Sequence, residues 1–257
     1  MTNTTRADRR PLVACLMALS VVCTAASSQG APTTTEPRTV PSQQPVSDVL
    51  SARQQAVVPV AAFAAVGDIA KLNSALNHAL DVGMTVNEAR EVLVQVYAYA
   101  GFPRSLNALS ELMKVVAERR QRGVRDAQGS GPTRPVPKGD ALLEAGTANQ
   151  TKLVGAPVRG ALFDFAPAVD EYLKTHLFGD IFERDNLDWH SRELATVGML
   201  SALTGVQPQL ESHMRISMNV GVTSGQLRQL TQVLASRVST ESAERAKVAL
   251  EATSPAR

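Results

Sequence analysis

The chain has 257 residues, with 26 Lys and Arg against 24 Asp and Glu, 44% hydrophobic residues and only 4% aromatic ones. That length holds one or two domains with real cores, and abundant Ala, Val and Leu with few aromatics suits packed helices better than aromatic strands. A near-balanced charge without a basic tract gives no electrostatic reason to bind nucleic acid.

The N-terminus reads as an export signal. Arg6, Arg9 and Arg10 precede an apolar run over 11–26, and small residues follow, the charge, apolar, small-residue order of a secretory leader. The run is too short for a lasting membrane anchor. Cleavage after Ala26, with Thr24 at minus three, defines an expected signal at 1–26 and a periplasmic or secreted mature protein. Arg9-Arg10-Pro11-Leu12-Val13 weakly resembles a twin-arginine signal, and Leu12-Val13-Ala14-Cys15 a lipobox, although almost nothing apolar precedes Cys15. Cleavage removes Arg6, Arg9, Arg10 and Asp8 and leaves 23 charges of each sign. It also removes both cysteines, Cys15 and Cys23. The expected mature chain therefore has no disulfide, no thiolate nucleophile and no Cys-ligated metal.

Residues 27–46 are rich in Thr, Pro, Gln and Ser and are expected to be a disordered leader. A first helical module is expected over 47–120. Val57, Val58, Val60, Ala61, Ala64 and Ala65 can line one buried helix, which Gly67-Asp68 breaks. Leu72, Leu76, Ala79 and Leu80 recur at helical spacing up to Gly83, a good stop. Thr85-Val86-Asn87-Glu88 forms a capping box for a helix that buries Val92, Leu93, Val96 and Tyr97. That helix stops at Gly101-Phe102, and Pro103 starts the next one, running to about Arg120. Residues 121–160 read as a long polar connection. A second module is expected over 161–252, with a helical region near 166–176. Asp188 caps a helix bearing Glu193, with Trp189 as a staple at its start, and helices at 207–219, 223–237 and 240–252 follow.

The two modules are copies. A gapless shift of 138 residues pairs Ala64 with Ala202, Gly67 with Gly205, Leu72 with Leu210, Gly83 with Gly221, Thr85 with Thr223 and Arg90 with Arg228. Thr223 and Gln226 repeat the capping box. The differences carry the chemistry: Glu193 faces Gln55, and His213 faces Ala75. One copy has kept an acid and a base, and the other has lost them.

Ser191-Arg192-Glu193-Leu194-Ala195-Thr196 and the run from His213 to Thr223 resemble the carboxymuconolactone decarboxylase family, as do Ala79 to Thr85 and Tyr97-Ala98-Tyr99-Ala100-Gly101-Phe102-Pro103. The resemblance covers roughly 47–120 and 165–240. It implies an all-α fold of two tandem helical modules packed as a pseudo-dimer, assembled into a ring of about three chains. It also implies one of two chemistries: decarboxylation of a carboxylated unsaturated lactone, or thiol peroxidase chemistry with a Cys-x-x-Cys pair between a Glu and a His. The second is disfavoured, because Gly205-Val206-Gln207-Pro208 stands where the thiols would sit.

Glu193 and His213 are then the expected catalytic acid–base pair, folded into one sheltered hollow. Each also has a structural explanation: a glutamate early in a helix suits the dipole, and a lone histidine on an apolar helix can be a satisfied core residue. Arg215 could grip a substrate carboxylate, although two residues from His213 it points to a different face, where it could serve a subunit salt bridge. Tyr99 is either packing or a substrate-facing wall. His78, one turn after Ala75, could stand in for the missing imidazole. His176 and His190 lack acidic or Cys partners at metal-ligand spacing, so no metal or other cofactor is expected. The reading is an exported lyase or isomerase-like enzyme for a small oxidised organic acid or lactone. The alternative is a non-catalytic ring-forming or ligand-binding protein on the same fold.

Overall fold

The computed structural model describes residues 47–253; the expected signal at 1–26 and the expected leader at 27–46 lie outside them. The described residues form helices and no strands. In the first module these are α1 (Ala52–Val66), α2 (Ile69–Asp81), α3 (Val86–Ala100) and α4 (Phe102–Gln121). Three further helices, α5 (Asp140–Val154), α6 (Ala161–Phe165) and α7 (Pro167–Tyr172), precede a π-helix, Leu173–Ile181. The second module then follows as α8 (Trp189–Ala202), α9 (Gln207–Asn219), α10 (Ser224–Arg237) and α11 (Thr240–Glu251).

The 138-residue shift maps one module on the other, element by element. It carries α2 onto the bounds of α9 and α3 onto α10 to within one residue. The start signals are shared as well. Thr85 Oγ1 accepts from the Glu88 N–H at 3.2 Å and Thr223 Oγ1 from the Gln226 N–H at 3.1 Å, and each partner side chain returns a bond to the cap backbone. The stop after α2 and α9 is the paired glycine Gly83 and Gly221, at φ 91° and 97°, a left-handed conformation that costs a side chain energy.

α1 and α8 form the seam. Ala56 to Ala65 and Ser191 to Ser201 are buried without a break, as expected of a helix enclosed on all sides. Gly198 lets the helices approach: a Cβ there would lie 3.0 Å from the Val58 carbonyl oxygen. Around this seam α3 packs on α8, and α10 packs in the matching way on α1. One apolar core runs through both modules.

The region between the modules is less open than its composition suggests. Residues 121–160 include α5, a four-turn helix, so they are not simply a polar connection. The helical region expected near 166–176 divides into α7 and the π-helix. Gly146 and Gly179 explain why α5 escapes a periodicity reading. They permit a close crossing with the π-helix, where a Cβ on Gly146 would collide with the Lys174 carbonyl. Beneath that crossing lies a second apolar cluster of Leu153, Leu177, Phe178, Ile181, Phe182 and Ile216. Trp189 closes it, with its indole N–H donating to the Phe182 carbonyl at 3.2 Å.

Candidate active site

Glu193 lies in the second turn of α8, after the Asp188 cap, whose carboxylate accepts from the Ser191 N–H at 2.8 Å. His213 lies midway along α9. The packing of α8 against α9 brings the two together, and His213 Nδ1 is 2.8 Å from Glu193 Oε2. Both are buried. A carboxylate only accepts hydrogen bonds, so Nδ1 carries the proton that faces Glu193, and Nε2 is the nitrogen turned away from the acid. The pair meets directly and not across an open space.

The third partner comes from the other module. Tyr99, near the end of α3, places its hydroxyl 3.5 Å from His213 Nε2, the outer limit of a hydrogen bond. The two rings meet edge to face, 5.6 Å between centroids. Burial, and then the Glu193 carboxylate, push the Tyr99 phenol far above its ordinary value. It therefore stays a neutral donor at every physiological pH. Behind it, Thr196 Oγ1 lies 3.3 Å from the Tyr99 hydroxyl, and the Gln95 amide donates to Thr196 Oγ1 at 2.7 Å and to the Arg192 carbonyl at 3.0 Å. Glu193 Oε1 is buried and accepts no hydrogen bond among the described residues. It is a free lone pair beside the imidazole.

A buried ion network braces this arrangement. The Glu91 carboxylate on α3 receives Arg184 Nη2 at 2.6 Å and Nε at 2.9 Å, and Arg192 Nη2 at 3.1 Å. Arg192 has no exposed surface at all. Burial pushes its pKa down against the pull of Glu91. For Glu91, burial raises the pKa, but the two guanidiniums outweigh it and hold the carboxyl below its usual range. Arg192 directly precedes Glu193, so the network fixes the turn of α8 that carries the acid.

The other residues singled out in the sequence lie elsewhere. Arg215 is exposed, with Nη2 3.4 Å from Ser212 Oγ, and does not join Glu193 and His213. His78 contacts Arg237 in the opposite module, with Nε2 3.0 Å from Nη1. His176 and His190 each sit near a single carboxylate, Asp180 at 3.3 Å and Asp188 at 3.9 Å. Among the described residues no three His, Cys, Asp or Glu side chains gather as metal ligands. Sequence reading missed Glu91, Gln95, Arg192 and Thr196. The self-comparison held the signal: across the shift Glu91 of the first copy pairs with Gln229 and Arg192 of the second with Gln54, so each copy supplies one buried charge of the network where the other has a neutral amide.

Comparison with known proteins matches this pattern. The profile of the carboxymuconolactone decarboxylase family aligns twice, over residues 45–113 and 167–254, and so takes in both copies. A 4-carboxymuconolactone decarboxylase of Acinetobacter baylyi is 33% identical over 69 residues, 27% of this chain and 51% of that protein. The chain thus spans about half the length of the curated relative it matches. Two aligned regions, on two helical modules with matching element bounds, place the chain in the carboxymuconolactone decarboxylase family.

Proposed function

We propose that the protein is a cofactor-free lyase of the decarboxylase type, acting on a small oxidised organic acid or lactone, with Glu193 and His213 as its acid–base pair. The observation that carries this reading is the buried 2.8 Å contact between Glu193 and His213, with the second imidazole nitrogen turned to a phenol that stays protonated. The likeness to the decarboxylase of Acinetobacter baylyi supports the reaction class.

In such a reaction the bond between carbon and the leaving carboxylate breaks, and its electron pair passes into the conjugated carbonyl as a dienolate. Carbon dioxide departs, and a proton must reach carbon. An imidazole held by a carboxylate at Nδ1 suits that delivery when Nε2 also carries a proton, which passes to carbon and is regained from water for the next turnover. A phenol that stays protonated, as that of Tyr99 does, suits donation to the developing oxyanion. The free Glu193 Oε1 can accept a substrate hydroxyl or a water. The exposed Arg215 has no part in this scheme.

The test is turnover of γ-carboxymuconolactone and a panel of related lactones and keto acids. Loss of a general acid–base group lowers rates by about 10²–10⁴-fold, so His213→Ala and Glu193→Gln should each lose that much kcat with folding retained. Equal turnover by His213→Ala and the wild type removes the imidazole from the mechanism.

Assembly and export belong to the same proposal. Phe102, Leu106 and Met113 on α4 are 62%, 59% and 72% exposed. Their counterparts on α11 are Thr240, Glu244 and Glu251. One copy has a wetted helix face where the other is apolar, which supports burial of the α4 face against a second copy of this chain in a closed ring of about three. Leu162, Phe165, Val169 and Tyr172 on α6 and α7 offer a separate apolar surface to receive it, and unlike surfaces of this kind close into rings. Light scattering that finds a stable monomer overturns the ring. The charge and apolar order of residues 1–26 supports export, which N-terminal sequencing of the mature protein checks.

A further inference from the structure

The internal repeat marks a second site that the catalytic reading does not use. α3 brings Tyr99 over His213, and by the matching contact α10 is brought against α1. The counterpart of Tyr99 on α10 is Arg237, and the counterpart of His213 is Ala75. Both line one surface pocket of about 630 Å³, together with Pro59, Phe63, Lys71 and His78. The pocket therefore holds the first module's counterparts of His213 and Tyr99, with different chemistry. Alanine in place of the imidazole leaves room, and Gln55, the counterpart of Glu193, is engaged elsewhere, its amide donating to the Leu50 carbonyl at 2.9 Å.

The chemistry left behind is that of an anion receptor. Arg237 has no carboxylate within 4.0 Å among the described residues. Its Nη1 lies 3.0 Å from His78 Nε2. A guanidinium only donates, so His78 accepts there through Nε2. That bond occupies one corner of the fork and steadies it, while Nε and Nη2 have no hydrogen-bond partner among the described residues. Lys71, 5.6 Å above the Phe63 ring, is already balanced by Asp68 at 3.0 Å. Pro59, Phe63 and Ala75 supply an apolar wall.

We propose that this pocket binds a small monocarboxylate with an apolar body, its carboxylate held two-pronged by Arg237 and its body against Phe63, Pro59 and Ala75. The geometry suits it: planar carboxylate on planar guanidinium, and an apolar surface beside a few polar groups, the common pattern of ligand pockets. The site neither needs nor affects turnover at Glu193–His213, and its test stands apart from that reading.

Benzoate is the probe, titrated calorimetrically into the full-length protein. A saturable event is expected that benzyl alcohol does not reproduce. Arg237→Gln, at a surface position, should weaken it at least tenfold with an unchanged far-ultraviolet dichroism spectrum. Ser74→Trp, which fills the pocket from its exposed lip, should do the same. His213→Ala should leave it intact. Benzoate binding that survives Arg237→Gln, binding that His213→Ala abolishes, or no saturable binding up to about 10 mM each overturns the proposal.

Discussion

Replacing Glu91 by glutamine keeps the shape of the side chain and removes its charge. In the native protein this carboxylate is the only acid within ion-pair distance of Arg192 among the described residues, and Arg192 has no exposed surface to turn toward water. Glu91→Gln thus strands a cation in the interior, and breaking a buried pair from one side costs about 3–5 kcal/mol. At roughly 2–4 °C per kcal/mol for a chain of this size, the melting temperature should fall by about 6–20 °C. Arg184→Gln should cost less, because Arg184 is one-third exposed and Arg192 keeps its partner. The double replacement Glu91→Leu with Arg192→Met removes both charges and should recover most of the loss. The pH dependence follows from the carboxyl's lowered pKa. The contribution is complete above the unfolded value of about 4.3 and is lost as pH falls through the still lower folded value. The stability gap between wild type and Glu91→Gln should then hold at neutral pH and close only on strong acidification. Urea unfolding at a series of pH values measures all of this. A loss under about 1 kcal/mol for Glu91→Gln at pH 7, or a double variant no better than the single one, refutes the view that Glu91 compensates a buried cation.

Other consequences are as open to measurement. Gly198→Leu drives a side chain into the Val58 carbonyl at the α1–α8 seam and should destabilise by at least about 1–3 kcal/mol in the same unfolding assay, whereas Gly83→Ala, in open space but at positive φ, should cost about 1 kcal/mol. Tyr99, its pKa raised by burial and then by Glu193, should ionise only as the protein unfolds in alkali. The phenolate absorbance of wild type and Tyr99→Phe should therefore coincide until that transition, and its contribution to stability, intact below the unfolded value of about 10, is lost as pH climbs beyond it. Thr85→Ala and Thr223→Ala, which remove equivalent caps, should each cost about 1 kcal/mol by chemical denaturation, and unequal losses would show that the modules differ in local stability.

Much of the fold was legible because local signals and the repeat agree. Capping boxes at Thr85 and Thr223, the stops at Gly83 and Gly221, and apolar spacing all mark the same boundaries in both copies. α5 was not legible, because Gly146 interrupts its pattern and its burial depends on a π-helix 30 residues later that no periodicity announces. At the site, Glu193 and His213 could be found by comparing the copies, since a charge lost from one is visible without coordinates. Tyr99 and Arg215 could not be separated that way. That Tyr99 meets the imidazole depends on how α3 crosses α8, and a crossing of helices from two modules leaves no periodic trace. The buried Glu91–Arg192 pair was hidden for a related reason: charged residues on an amphipathic helix ordinarily read as its wet side.

Each half of the molecule roofs the other. The tail of α3 lends a phenol to the imidazole in the later half, and the tail of α10 lends a guanidinium to the hollow in the earlier one. A chain cut between the halves would part Tyr99 from His213 and Arg237 from Ala75, and leave both hollows unroofed.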